Sequence, residues 1–141
     1  RQSISVDVDC NTSNGGSFSN SAVLTYDTLY ERDSSLATLA GNYDDFGAVL
    51  SIDANGMIFE QDPFTGCVLN GQANVVDARY NVYDGSITFS NCAGDLAILN
   101  GSTHTGLGIL DDSVSPETLV VGMVGNVNGI TVSVVFVLPK F

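Results

Sequence analysis

Three features of the chain predict an all-β fold, an antiparallel meander of about eight short strands closed into a β-barrel, with a β-sandwich as the alternative. Apolar and polar residues alternate with period two through most segments. Asn-Gly pairs recur at Asn14, Asn55, Asn70, Asn100 and Asn128 in a chain of 141 residues with 15 glycines, and such pairs are turn and bulge signals. Helical character is confined to one short turn. Consecutive hairpins without a long crossover favour the barrel. The length suits a single domain, residues 1–141, with a core of its own.

Taken in order, residues 3–9 alternate cleanly, with Ile4, Val6 and Val8 on one face and Ser5, Asp7 and Asp9 on the other. Residues 10–21, rich in Asn, Gly and Ser, read as a flexible linker. A second strand is expected over 22–30. Ser34 or Ser35 can cap a helical turn through Leu36-Ala37-Thr38-Leu39-Ala40, which Gly41 ends. Strands then follow at 48–53 and 57–61, joined by a type I turn at Asp53-Ala54-Asn55-Gly56. Asp62-Pro63-Phe64-Thr65-Gly66 forms a second turn.

Residues 66–92 form the best-defined unit, two alternating strands facing each other across a short polar turn, with Cys67 and Cys92 at their outer ends. The apolar faces match when Leu69 opposes Phe89, Gly71 opposes Ile87 and Val75 opposes Tyr83. That register places Cys67 opposite Asn91, one residue short of Cys92. A disulfide there requires a bulge near Asn91, or joins frayed strand ends. Redox activity for the pair would need an electropositive setting that this chain lacks. Cys10 is left over, as a buried free thiol or an interchain partner.

Beyond the hairpin, residues 96–110 read as one long strand, bent or bulged at Gly101, Gly106 and Gly108. Residues 111–118 form a loop with Pro116. Strands at 119–127 and 130–138 make the last hairpin, turning at Asn128-Gly129. The last strand is almost continuously apolar, as if covered on both sides.

Lys and Arg total 4 against 16 Asp and Glu, a formal net charge of −12. So acidic a surface repels phosphate backbones and anionic membranes, and no nucleic-acid partner is expected. No apolar run reaches the length of a membrane helix, so no integral membrane segment is expected. The first residue is Arg1 rather than Met, which suggests a trimmed, exported chain. The cysteine spacing favours an oxidising compartment.

The motif Gly41-Asn42-Tyr43 after a helical turn, followed by a strand and an Asp-x-Asn-Gly turn, resembles the opening of lipocalin and avidin barrels, with Tyr43 where those families usually carry Trp. Residues 26–92, in the runs YDTLYERDSSLATLAGNY, GCVLNG and NVYDGSITFSNC, resemble small exported proteins and lipoproteins of Gram-negative bacteria. That resemblance implies a secreted, periplasmic or cell-surface location and carries no activity.

No catalytic constellation is visible, so the protein is read as a non-enzyme without cofactors. His104 is the one histidine. Ser102 lies two residues before it, and a nucleophile elbow is absent. Asp53, Asn55 and Asp62 partly match an EF-hand loop, but a tight hairpin explains the same residues. Two functional readings follow. The first is an exported barrel that binds a small apolar ligand or a partner at the envelope, with Tyr43, Phe59, Tyr83 and Phe89 as candidate lining. The second is a self-assembling subunit in which residues 1–9, carrying Ile4, Val6 and Val8, leave their own chain and complete a neighbour's sheet, with Cys10 beside that strand suited to an interchain contact.

Overall fold

Alternating segments separated by tight turns can satisfy their backbone only by pairing with sequence neighbours, and the computed structural model is built in that way. It describes residues 3–11 and 15–141. Strands β1 (Ser3–Asn11) and β2 (Ser17–Thr25) pair antiparallel, from Ser3 opposite Thr25 to Asn11 opposite Ser17, in a two-stranded ribbon of their own. Much of the expected linker is therefore strand. The run Ser17 to Ser21 lacks the apolar alternation that marks a strand, and its pairing with β1 supplies the order. The side chains of Ile4, Val6, Val8 and Cys10 lie outside the described ones.

A 3-10 turn at Thr28–Glu31 follows where a continuation of the strand was expected. Helix α1 (Leu36–Leu39) is a single turn capped by Ser35, whose Oγ accepts from the Thr38 N–H at 3.0 Å.

The remaining strands are β3 (Gly41–Asp45), β4 (Ala48–Ile52), β5 (Met57–Gln61), β6 (Val68–Val75), β7 (Tyr83–Ser90), β8 (Thr103–Asp111), β9 (Thr118–Val127) and β10 (Ile130–Pro139). They form one antiparallel eight-stranded meander in sequence order. A single continuous ladder curled into a half-barrel replaces the sandwich alternative. Its edges meet at one bridge, Tyr43 with Lys140, beside which the Phe141 N–H donates to the Asn42 carbonyl at 3.0 Å.

The β6–β7 register is the one that the apolar faces dictate: Leu69 opposes Phe89, Gly71 opposes Ile87 and Val75 opposes Tyr83. The ladder ends at Val68 opposite Ser90. Asn91 then takes a left-handed conformation (φ +57°), and Cys67 and Cys92 form the disulfide. The connection between these strands is longer than a short turn, spanning residues 76–82.

Two further expectations are corrected. Residues 96–99 belong to a 3-10 turn, Gly94–Leu99, and β8 begins only at Thr103. The Asn100 carboxamide fixes that turn by accepting from the Cys92 N–H at 2.8 Å and donating to the Cys92 carbonyl at 3.0 Å. Strand β10 is not covered on both sides. Val135 and Val137 point outward and are 70% and 57% exposed, while Leu138 is buried.

The core lies inside the curl. Leu39, Tyr43, Leu50, Ile52, Ala73, Tyr83, Leu110, Leu119 and Leu138 make its larger part, and Leu69, Ile87, Phe89 and Met123 pack around the disulfide in the other. Residues 26–40 close one end. Leu39 is 1% exposed and its carbonyl accepts from the Tyr43 hydroxyl. The fully buried Asn81 ties the Leu29 carbonyl to β8 through Leu110. Arg32 reaches Asp112 at 3.0 Å, and Lys140 donates to the Thr38 carbonyl at 2.8 Å. Plugged at this end, the half-barrel presents its other rim to solvent.

Candidate functional site

Hairpin topology puts the β3–β4, β5–β6 and β7–β8 connections on that second rim, and each carries exposed apolar side chains. Phe46 forms the tip of the first turn. It is 95% exposed and left-handed (φ +50°), a conformation that is strained for a bulky side chain. Phe64 at the second tip is 79% exposed. A Cβ on Gly47 would lie 3.6 Å from the Phe64 ring, so the two turns are adjacent. The third connection joins them through the Ala93 N–H, which donates to the Thr65 carbonyl at 3.0 Å, and presents Leu96 and Ile98, 39% and 54% exposed.

The turn that presents Phe64 is held by Asp62. Its carboxylate accepts from the Phe64 N–H at 2.7 Å and from the Thr65 hydroxyl, and these bonds keep its pKa below the usual range. Asp45 behaves oppositely, raised by burial and by Asp62 and Asp44. Below the tips sits Glu60, on the inward face of β5 between Leu50 and Leu69. It is 3% exposed, and its Oε2 has no hydrogen-bond partner. Burial, then Asp45 and Asp62, push its pKa up to about 7. Among the described residues every cation, Arg32, Arg79 and Lys140, belongs to the opposite end. The rim is thus apolar at its tips and acidic beneath them.

The other residues singled out from the sequence are scattered. Tyr43 is wholly buried core. Tyr83 lines an internal apolar cavity of about 50 Å³ together with Leu50, Ile87, Val121 and Phe136. Phe89 meets the His104 ring edge-on at 5.2 Å. Phe59 faces outward and is 49% exposed, because the register with β4 and β6 turns Ile58 and Glu60 inward instead. The four do not form one lining.

Asp53 and Asp62 lie at opposite ends of β5. Asp53 accepts from the Asn55 and Met57 N–H groups in its own turn, so these residues do not converge on one ion. His104 is fully buried with neither ring nitrogen hydrogen-bonded, and Ser102 donates to the Leu99 carbonyl at 2.6 Å rather than to it. Cys67 and Cys92 are buried and bonded, as scaffold at the base of the rim.

Sequence reasoning passed over Phe46, Phe64 and Glu60. The first two carried a signal, a phenylalanine inside a turn motif, in Asp-Phe-Gly and in Asp-Pro-Phe-Thr-Gly. Comparison with protein-family models, with curated proteins and with solved structures found no match. No helix among the described residues is long and apolar enough to cross a membrane.

Proposed function

We propose that this chain is a non-enzymatic, exported half-barrel that binds a partner protein at its acidic, phenylalanine-tipped rim. The observation that carries the reading is the pair Phe46 and Phe64, exposed on adjacent turns and underlain by Asp44, Asp45 and Asp62. Exposed aromatics clustered on a rigid scaffold are the usual anchors of protein recognition. A carboxylate collar selects a partner whose apolar contact is framed by Lys or Arg. The interior supports a small-ligand reading less well, since a cavity of about 50 Å³ is far below the roughly 300–1,000 Å³ of ordinary ligand pockets.

An oxidising location at a bacterial envelope fits the disulfide and the resemblance of residues 26–92 to exported proteins. The test is binding of two amphipathic peptides of equal hydrophobicity, one rich in Lys and one rich in Glu. The Lys-rich peptide should bind the wild type, weaken with added salt and be lost by Phe46→Ser/Phe64→Ser. Equal binding of both peptides, or binding unaffected by the double substitution, would overturn the assignment.

A further inference from the structure

The two edges of the eight-stranded sheet are built differently. Edge strand β3 is short, carries Asp44 and Asp45, and so resists addition of another strand. Edge strand β10 is twice as long, Ile130–Pro139, and has no charged residue. The two-residue turn at Asn128-Gly129 makes Val127 and Ile130 a hydrogen-bonded pair. Alternation then directs the N–H and C=O groups of Thr131, Ser133, Val135 and Val137 away from β9. Among the described residues nothing pairs with these groups, and contact with β3 begins only at the Tyr43–Lys140 bridge.

The N-terminal ribbon has the complementary defect. Among the described residues its strands pair only with each other, and every described side chain of β1 and β2 is exposed. An isolated two-stranded ribbon is marginal in water, and a third strand changes that. Strand β2, Ser17–Thr25, is also uncharged and nearly matches β10 in length. In a chain of net charge −12, self-repulsion between two copies is least where the facing elements are uncharged.

We infer that the ribbon of one copy adds through β2 to the open edge of β10 in a second copy. Main-chain hydrogen bonds supply the affinity, as in other strand additions. The contact is head to tail, so it either closes into a reciprocal dimer or propagates as a filament. It uses neither Phe46 nor Phe64, and its failure leaves the rim reading standing.

The experiment compares the full chain, a chain lacking residues 1–25, and Val135→Pro, by sedimentation over a concentration series with amide hydrogen exchange. Proline at 135 deletes an edge donor without touching the ladder to β9. The full chain should associate, with slow exchange at Thr131, Ser133, Val135 and Val137. Each variant alone should be monomeric. Mixed, they should form a one-to-one complex, the Val135→Pro chain giving its ribbon and the shortened chain its edge. Circular dichroism and the intact disulfide check that both variants fold. A monomeric full chain overturns the inference: fast edge amides would mean that nothing docks, and slow ones that the ribbon folds back on its own chain. Oligomers that survive deletion of residues 1–25 overturn it too.

Discussion

The Asn81 carboxamide and the Leu110 peptide group satisfy each other completely: Nδ2 donates to the Leu110 carbonyl at 2.8 Å, and Oδ1 accepts from the Leu110 N–H at 3.1 Å. Asn81 has no exposed surface, and Nδ2 also donates to the Leu29 carbonyl at 3.2 Å. One side chain thus replaces the strand that β8 lacks at its end and fastens the plug to it.

Asn81→Ala leaves buried backbone groups without partners, each costing roughly 1–3 kcal/mol. The expected loss is about 2–4 kcal/mol in urea unfolding. Asn81→Asp should be no better, because it keeps the acceptor and deletes the donor. A midpoint within error of the wild type for both variants would show that water replaces the carboxamide without penalty.

A different signature is expected of Glu60. Its folded pKa, near 7, is raised above the ordinary 4.5 by burial and by Asp45 and Asp62. Below pH 4.5 both folded and unfolded chains keep the proton, and no penalty arises. As pH rises from there to about 7 the unfolded chain releases its proton first, so stability falls across that window and levels off above it. The loss is on the order of 3 kcal/mol. Glu60→Gln should flatten the slope and gain stability at pH 8 relative to the wild type. Parallel pH profiles for the two proteins would rule out Glu60 as the source.

Much of the fold was legible because cross-strand constraints are local. In the Cys67–Cys92 hairpin the large apolar residues Leu69, Ile87 and Phe89 admit one register, and the cysteine mismatch by one residue required the turn that Asn91 makes. Only the second half of strand β2 was legible, because Ser17, Ser19, Asn20 and Ser21 interrupt the apolar alternation of its first half. Phe59 was misplaced for a subtler reason. The run Met57 to Gln61 alternates with its larger residues outward, and only the neighbouring strands reveal that Ile58 and Glu60 face the core. The rim was illegible as a site because it joins turns from three hairpins whose adjacency no single segment encodes.

Gly125 pairs with His104 across the β8–β9 ladder and lies against the buried imidazole. A Cβ there would lie 2.6 Å from His104 Cγ and 2.7 Å from the Thr103 carbonyl oxygen. Gly125→Ala therefore forces the ring and the β8 backbone away, at about 1–3 kcal/mol. Combining it with His104→Ala should cost less than the sum of the two single changes, because the truncated side chain removes half of the clash. Additive losses in thermal or urea unfolding would place the strain entirely on the Thr103 carbonyl.

The disulfide gives the last expectation. It joins Cys67 and Cys92 across a sequence separation of 25, just beyond the end of a ladder running from Val75 opposite Tyr83 to Val68 opposite Ser90. Because the register is set by Leu69, Ile87 and Phe89, the bridge is not needed to define the pairing and acts mainly by restricting the unfolded chain. In the chain-entropy account a loop of that size is worth roughly 3–4 kcal/mol. Cys67→Ser should lower stability by about that amount while the strand content persists, since the ladder keeps its own contacts. A reducing agent should destabilise the wild type to a similar degree and leave the variant unchanged. Loss of the β-sheet circular dichroism signal in Cys67→Ser would show that the bridge specifies the hairpin rather than stabilising one already specified.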